Sequence, residues 1–162
     1  MTTSRPTHEL IQRYAAGPEA LEAALSGLSP AEIAFKPTPE DWSIHEIVIH
    51  LADTDLVAAA RIRHLLGEPG VTLVGMDQGH WGRVMRYAEQ PLDAAVALFR
   101  ALRTSTAAVL RLAPAQAWPT AGMHTRYGPQ TLEWIVDHFA DHLDGHLATI
   151  AKRRRQFAEA RR

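Results

Sequence analysis

The sequence predicts an all-α fold, a four-helix bundle, and three observations support it. Four long segments carry apolar residues at helical spacing, and no run of strand-type alternation lies between them. The chain has 162 residues, 46% of them apolar, which suits one domain. A chain of this size can bury roughly 68–70% of its unfolded surface without staples. Residues 1–162 are therefore read as a single domain.

The first segment runs from about Thr7 to Gly27. Leu10, Ile11 and Tyr14 form one helical stripe and Leu21, Leu25 and Leu28 another. Gly17-Pro18 interrupts them, so a kink or restart is expected there. Ser29-Pro30-Ala31-Glu32 reads as a capping box with proline at the first helical position, opening only a short turn because Pro37 and Pro39 follow. A second capping box, Ser43-Ile44-His45-Glu46, starts the second long helix. Ile44, Ile47, Val48, Leu51, Asp55, Ala58, Ile62, Leu65 and Leu66 share its buried face, with Asp55 the polar exception, and Gly67, Pro69 and Gly70 end it. The stretch Gly67–Gln90 is long for a structureless connection, so a short helix or a lid is expected within it. The third long helix starts near Pro91, presents Leu92, Ala95, Val96, Phe99, Leu102, Thr106, Val109 and Leu110, and closes at Pro114 and Pro119. A second loop, Ala113–Gln130, leads to the fourth, from about Thr131 into an arginine-rich tail. Amphipathic helices of this kind bury their stripes against one another, and connections this long do not require up-down-up-down order.

Composition narrows the chemistry. The chain has nine histidines and no cysteine. That excludes disulfides, Cys-ligated zinc, iron–sulfur clusters and a cysteine nucleophile. A net charge of −1 argues against bulk-charge binding to nucleic acid, and the tail Lys152-Arg153-Arg154-Arg155 reads as a cationic helix C-terminus. The polar start, Met1–His8, has no signal-peptide core, and no apolar run is long enough to span a membrane. A soluble cytoplasmic protein is expected.

Helical geometry sorts the histidines. At about 100° per residue, Leu132, Ile135, Val136, Phe139, Leu143, Leu147 and Ile150 define the buried stripe of the fourth helix. His146 falls inside that stripe and His142 at its edge, an i, i+4 pair whose rings project one turn apart. Buried imidazoles need partners, and imidazole is among the commonest metal ligands. A catalytic site of the zinc type uses three protein ligands and keeps one position open. On the second helix His50 lies at the edge of the apolar face, with Thr54, Val57 and Arg61 on its side, and is the best third ligand. His45-Glu46-Ile47-Val48-Ile49-His50 is one residue too long for the HExxH motif: its second histidine is turned about 140° from the first, so the two cannot share an ion. His138, His80 and His124 are possible neighbours of the site, whereas His8, His45 and His64 are read as surface residues. Asp53 and Glu46, one turn either side of His50, are read as solvated.

Trp42-Ser43-Ile44-His45-Glu46-Ile47-Val48-Ile49-His50-Leu51-Ala52-Asp53 resembles the "W-S-x-x-E-x-x-x-H-L-x-D" opening of the second helix in DinB/YfiT-like proteins. Gly128-Pro129-Gln130-Thr131-Leu132 resembles the "G-x-x-T-L" entry to their fourth helix, and the run from His138 to Ile150 is similar to their closing "H-x-x-x-H-x-x-x-H-L-x-x-I". Gly17-Pro18 and Gly27-Leu28-Ser29 also look like the family's first helix and turn. The resemblance implies up-down-down-up topology and a metal held by His50, His142 and His146, the three residues selected above by helical geometry. It also implies kinship with bacterial thiol S-transferases and thiol-dependent isomerases.

The leading expectation is a metal-dependent enzyme that transfers a low-molecular-weight thiol to an electrophilic small molecule. The ion is divalent, zinc or nickel first, and the thiol comes from outside because the chain has no cysteine. The alternatives are a metal-dependent hydrolase, a non-enzymatic metal-binding stress or interaction protein, and a bundle whose histidines are purely structural. A small-molecule substrate and a homodimer are expected; nucleic-acid and membrane partners are not.

Overall fold

The computed structural model describes residues 6–68 and 70–162. Residues 1–5 of the polar start and Pro69 of the expected helix stop lie outside the described residues. Helix α1, Thr7–Ala15, and helix α2, Gly17–Leu25, together form the first bundle rod. The short α3, Pro30–Ala34, opens with the expected Ser29/Glu32 capping box. Helix α4, Ile44–Gly67, opens with the Ser43/Glu46 box and is the second rod. Helix α5, Gln78–Val84, lies in the connection to α6, Leu92–Leu112, the third rod. Helix α7, Leu132–Ala160, is the fourth, its first turn capped by the Thr131 hydroxyl.

The packing partners give each rod its direction. Near one end Leu10 and Ile11 meet Ile62, Leu65, Ala107, Leu110, Leu132 and Ile135. Near the other Leu21 meets Ile44, Ile47, Ala95, Phe99, Leu143 and Ile150. Rods one and four therefore run one way and α4 and α6 the other, which is up-down-down-up.

A buried polar layer separates these two apolar cores. Arg103 is 0% exposed, and so is Asp55. Arg103 Nε and Nη2 donate to the two Asp55 carboxylate oxygens at 2.8 and 3.2 Å, and the Tyr14 hydroxyl donates to Asp55 Oδ1 at 3.0 Å. Pro18 has no N–H to offer the Tyr14 carbonyl four residues back. Arg103 Nη1 donates to that carbonyl instead, at 3.2 Å. A Cβ on Gly17 would stand 2.5 Å from the same Nη1, so the Gly-Pro break is the notch that admits the guanidinium. Arg13 pairs with Asp137, Asp141 and Asp144 on the outer face of α7.

The fold is all-α, with one small sheet that no alternation in the sequence signals. The two long connections meet in a three-stranded sheet of β1, Thr72–Leu73, β2, Ala121–His124, and β3, Gly128–Thr131. β1 runs parallel to β2, pairing Leu73 with His124, and β3 returns antiparallel, pairing His124 with Gly128. A Cβ on Gly122 would meet the Leu73 side chain and the Val71 carbonyl at 2.9 Å, which explains glycine there. The stretch Gly67–Gln90 holds the expected short helix, α5, and a single 3-10 turn at Tyr87–Glu89.

Candidate metal centre

His50 projects from the second turn of α4, and His142 and His146 from consecutive turns of α7. His142 Nε2 lies 3.2 Å from His50 Nε2 and 3.2 Å from His146 Nε2. The three offer ligand atoms that all fall within 4.8 Å of one another. His50 is fully buried and the other two are half-buried.

A ring nitrogen carries either a proton or a lone pair, so the atom at the junction cannot donate to one neighbour and accept from the other. Three convergent nitrogens suit a shared ion better than mutual hydrogen bonds. Tetrahedral zinc with bonds of ~2.0–2.1 Å separates its ligand atoms by about 3.3 Å, close to the spacing here. The Nδ1 atoms of all three rings are buried with no protein acceptor among the described residues, so no backbone carbonyl or carboxylate fixes their tautomers. Burial, reinforced by the other rings, pushes His50 and His142 down to about 3, and burial lowers His146 as well. Near pH 7 the rings are neutral and their lone pairs are free to ligate. The donor set fits a divalent ion.

His142 and His146 line a cavity of about 1380 Å³, with Trp42, Arg61, His124 and His138 among its other wall residues, and His50 is fully buried beside them. Trp42 covers His50, with ring centroids 4.8 Å apart. His138 is exposed at the cavity wall, stacked on Trp134 at 4.5 Å and one turn before His142. His124 is buried in the same wall, whereas His80 is exposed and lies outside the lining.

A family model described as the DinB superfamily matches residues 13–150. The chain belongs to the DinB superfamily. Among curated relatives, a "putative metal-dependent hydrolase" of Geobacillus kaustophilus is 24% identical over 86% of this chain and 79% of its own. A protein of the same description from Geobacillus thermodenitrificans is 25% identical over 57% of this chain and 52% of its own. YfiT from Bacillus subtilis, described as a probable metal-dependent hydrolase with an unusual four-helix bundle topology, superposes with a TM-score of 0.88 at 20% identity, covering 98% of this chain and 91% of that one. A mycothiol-dependent maleylpyruvate isomerase superposes with a TM-score of 0.73 at 14% identity, covering 91% of this chain and 62% of that one. Both likenesses speak to fold.

Within this DinB chain the geometry brings together all three histidines singled out in the sequence. It leaves His8 and His64 exposed, as expected. His45 differs: it is half-buried and its Nε2 donates to the Gln90 carbonyl at 2.8 Å, tying α4 to the end of the first long connection. Glu46 is buried rather than solvated, capping its own helix and pairing with Lys36 at 2.8 Å. Asp53 accepts a 2.7 Å hydrogen bond from the Tyr87 hydroxyl. Trp42 and Arg61 are among the cavity residues given no site role in the sequence. Trp42 directly precedes the capping box, and Arg61 shares the His50 side of α4, and those were the available signals.

Proposed function

We propose that this chain is a metal-dependent enzyme in which His50, His142 and His146 hold a divalent ion, zinc or nickel first. We further propose that it transfers a low-molecular-weight thiol to an electrophilic small molecule. The observation that carries this reading is the convergence of three neutral imidazoles, two of which, His142 and His146, line a large open cavity. When bound, such an ion lowers the pKa of a thiol or water that it ligates.

The chain's own residues favour the thiol. Among the described residues no carboxylate joins the trio, and the two acids nearest to His50 in sequence are engaged elsewhere, Glu46 in its cap and Asp53 with Tyr87. A nucleophile here must release its proton without a carboxylate base. A thiol, with a pKa near 8.5, does so far more readily than water, at about 15.7. Trp42 covers His50 and limits water on that side. In the transfer the thiol sulfur gives up its proton to solvent, forms a carbon–sulfur bond with the electrophile, and the leaving group departs with its electron pair. The acting compartment in this reading is the cytoplasm, where such thiols stay reduced, and the expected assembly is a homodimer. Hydrolysis is the second reading, favoured by the descriptions of the Geobacillus relatives and of YfiT.

Metal analysis of the purified protein beside His50→Ala and His142→Ala tests the centre. One ion per chain in the parent and a large loss in both variants is expected; equal content in all three refutes it. Incubation with bacterial thiols and a panel of electrophiles tests the chemistry. Conjugation abolished by a chelator is expected. Turnover of an ester panel without thiol, and no conjugation, would replace transfer with hydrolysis.

A further inference from the structure

Arg61 lies three turns after His50 on α4 and lines the same cavity. Arg13, Arg100, Arg103 and Arg153 each meet a carboxylate, and Arg63, an exposed residue, has its guanidinium spread over the Ala59 carbonyl and the Thr106 and Ser105 hydroxyls. Arg61 meets none among the described residues, and burial lowers the pKa of its guanidinium. Its Nη2 donates to the Val74 carbonyl at 2.5 Å, and its Nε is buried without a partner. A guanidinium stays charged in proteins, so this is a half-buried cation with no counter-ion from the chain.

His124 sits beside it, with Nε2 3.3 Å from Arg61 Nη2. The contact is not a hydrogen bond between the two. The backbone N–H groups of Arg126 and Tyr127 both point at His124 Nδ1, at 3.0 and 3.2 Å. Backbone amides only donate, so Nδ1 holds the lone pair and the proton of the neutral ring is on Nε2. Burial, with Arg61 and Arg126 nearby, lowers the ring's pKa and keeps it neutral. Arg61 Nη2 and His124 Nε2–H thus stand side by side as donors, and the Arg61 Nε–H is buried with no acceptor among the described residues, where a buried donor is normally satisfied. Gly75 keeps the approach narrow but clear: a Cβ there would stand 3.3 Å from His124 Cε1 and 3.2 Å from Thr125 Oγ1.

We propose that Arg61 and His124 form a subsite for the carboxylate of a small-molecule substrate, bound along the cavity from the metal centre with His138 between the two. One cation and one neutral N–H match a group of single negative charge, which favours a carboxylate over a phosphate dianion. Assigning that carboxylate to the reacting substrate rests on the enzyme reading above, whereas the binding itself needs no ion.

The test uses chelator-treated protein titrated calorimetrically with benzoate, its neutral isostere benzamide, and inorganic phosphate. Benzoate is expected to bind saturably and at least about tenfold more tightly than benzamide, and Arg61→Met to weaken it about ten- to hundredfold, the range for a lost charge-assisted bond. Arg61→Lys keeps the charge and is expected to fall between. The His124 ring nitrogen signals should report Nε2 protonation and shift with benzoate. Equal binding of benzoate and benzamide, no effect of Arg61→Met in a folded variant, tighter phosphate binding, or a proton on Nδ1 each overturns the proposal. Benzoate selectivity in a protein that never binds metal would sink the enzyme reading and leave the subsite. Metal binding without benzoate selectivity would do the reverse.

Discussion

Replacing Asp55 by leucine should be among the most damaging single changes in the bundle. The variant leaves the Arg103 guanidinium, 0% exposed, without its counter-ion. It removes the Arg103 Nε and Nη2 bonds to the carboxylate and the bond from the Tyr14 hydroxyl. Two bonds to a charged group at about 1.5–3 kcal/mol each, with one ordinary bond at about 1 kcal/mol, sum to roughly 4–7 kcal/mol. Relaxation and water entry reduce this to about 3–5 kcal/mol, the usual cost of removing one partner of a buried pair. For a domain of this length each kcal/mol shifts Tm by about 2–4 °C, so a fall of roughly 6–20 °C is expected. Urea unfolding followed by circular dichroism measures it, and Asp55→Leu/Arg103→Met completes the cycle. The double variant should recover much of the loss, because an apolar pair avoids the stranded charge. A single-variant cost below about 1 kcal/mol, or a double variant as damaged as the sum of the two singles, would refute the counter-ion argument.

Two further predictions concern the site and its sheet. Folded metal-free His50 and His142 titrate near 3 against an ordinary value of 6.5, so the unfolded chain takes up protons first and stability falls as pH drops from about 6.5 towards 3. The loss at pH 5.5 should be about 1.4 kcal/mol per histidine, read as a shift of the urea midpoint; a His50→Gln/His142→Gln variant showing the same pH slope would contradict it. Gly122→Ala should cost about 1–3 kcal/mol, because its Cβ meets the Val71 carbonyl at 2.9 Å and forces β1 away from β2. An unchanged melting temperature would show that the strand yields freely.

The metal trio was legible because its geometry is local. His142 and His146 are an i, i+4 pair on one helix, and His50 needs only one facing helix to join them. The sheet was not legible for a physical reason. Its strands have two, four and four residues, too few to show alternation, and the parallel pairing joins segments far apart in sequence. Arg103 was equally hidden. A lone arginine on a helix reads as surface, and its burial depends on Asp55 from one rod and the Gly17-Pro18 notch of another. The role of His124 depends on a turn that aims two backbone N–H groups at one ring nitrogen, and no side-chain pattern encodes that.

The buried layer and the metal centre are mechanically linked. Arg103 donates to the Asp55 carboxylate on α4 and, through Nη2 at 2.8 Å, to the Phe139 carbonyl on α7. Asp55 lies five residues after His50, and Phe139 three residues before His142. One side chain from the third rod therefore ties together the two helices that supply all three imidazoles, within about two turns of each ligand. No protein group among the described residues holds the Nδ1 atoms of the trio, so their placement depends on the helices themselves. A bundle that orients its ligands by helix position needs those helices registered against each other, and a charge in the core does that more specifically than apolar packing, which tolerates small slides. On this view Asp55, the one polar residue on an otherwise apolar face, serves the site as much as the fold.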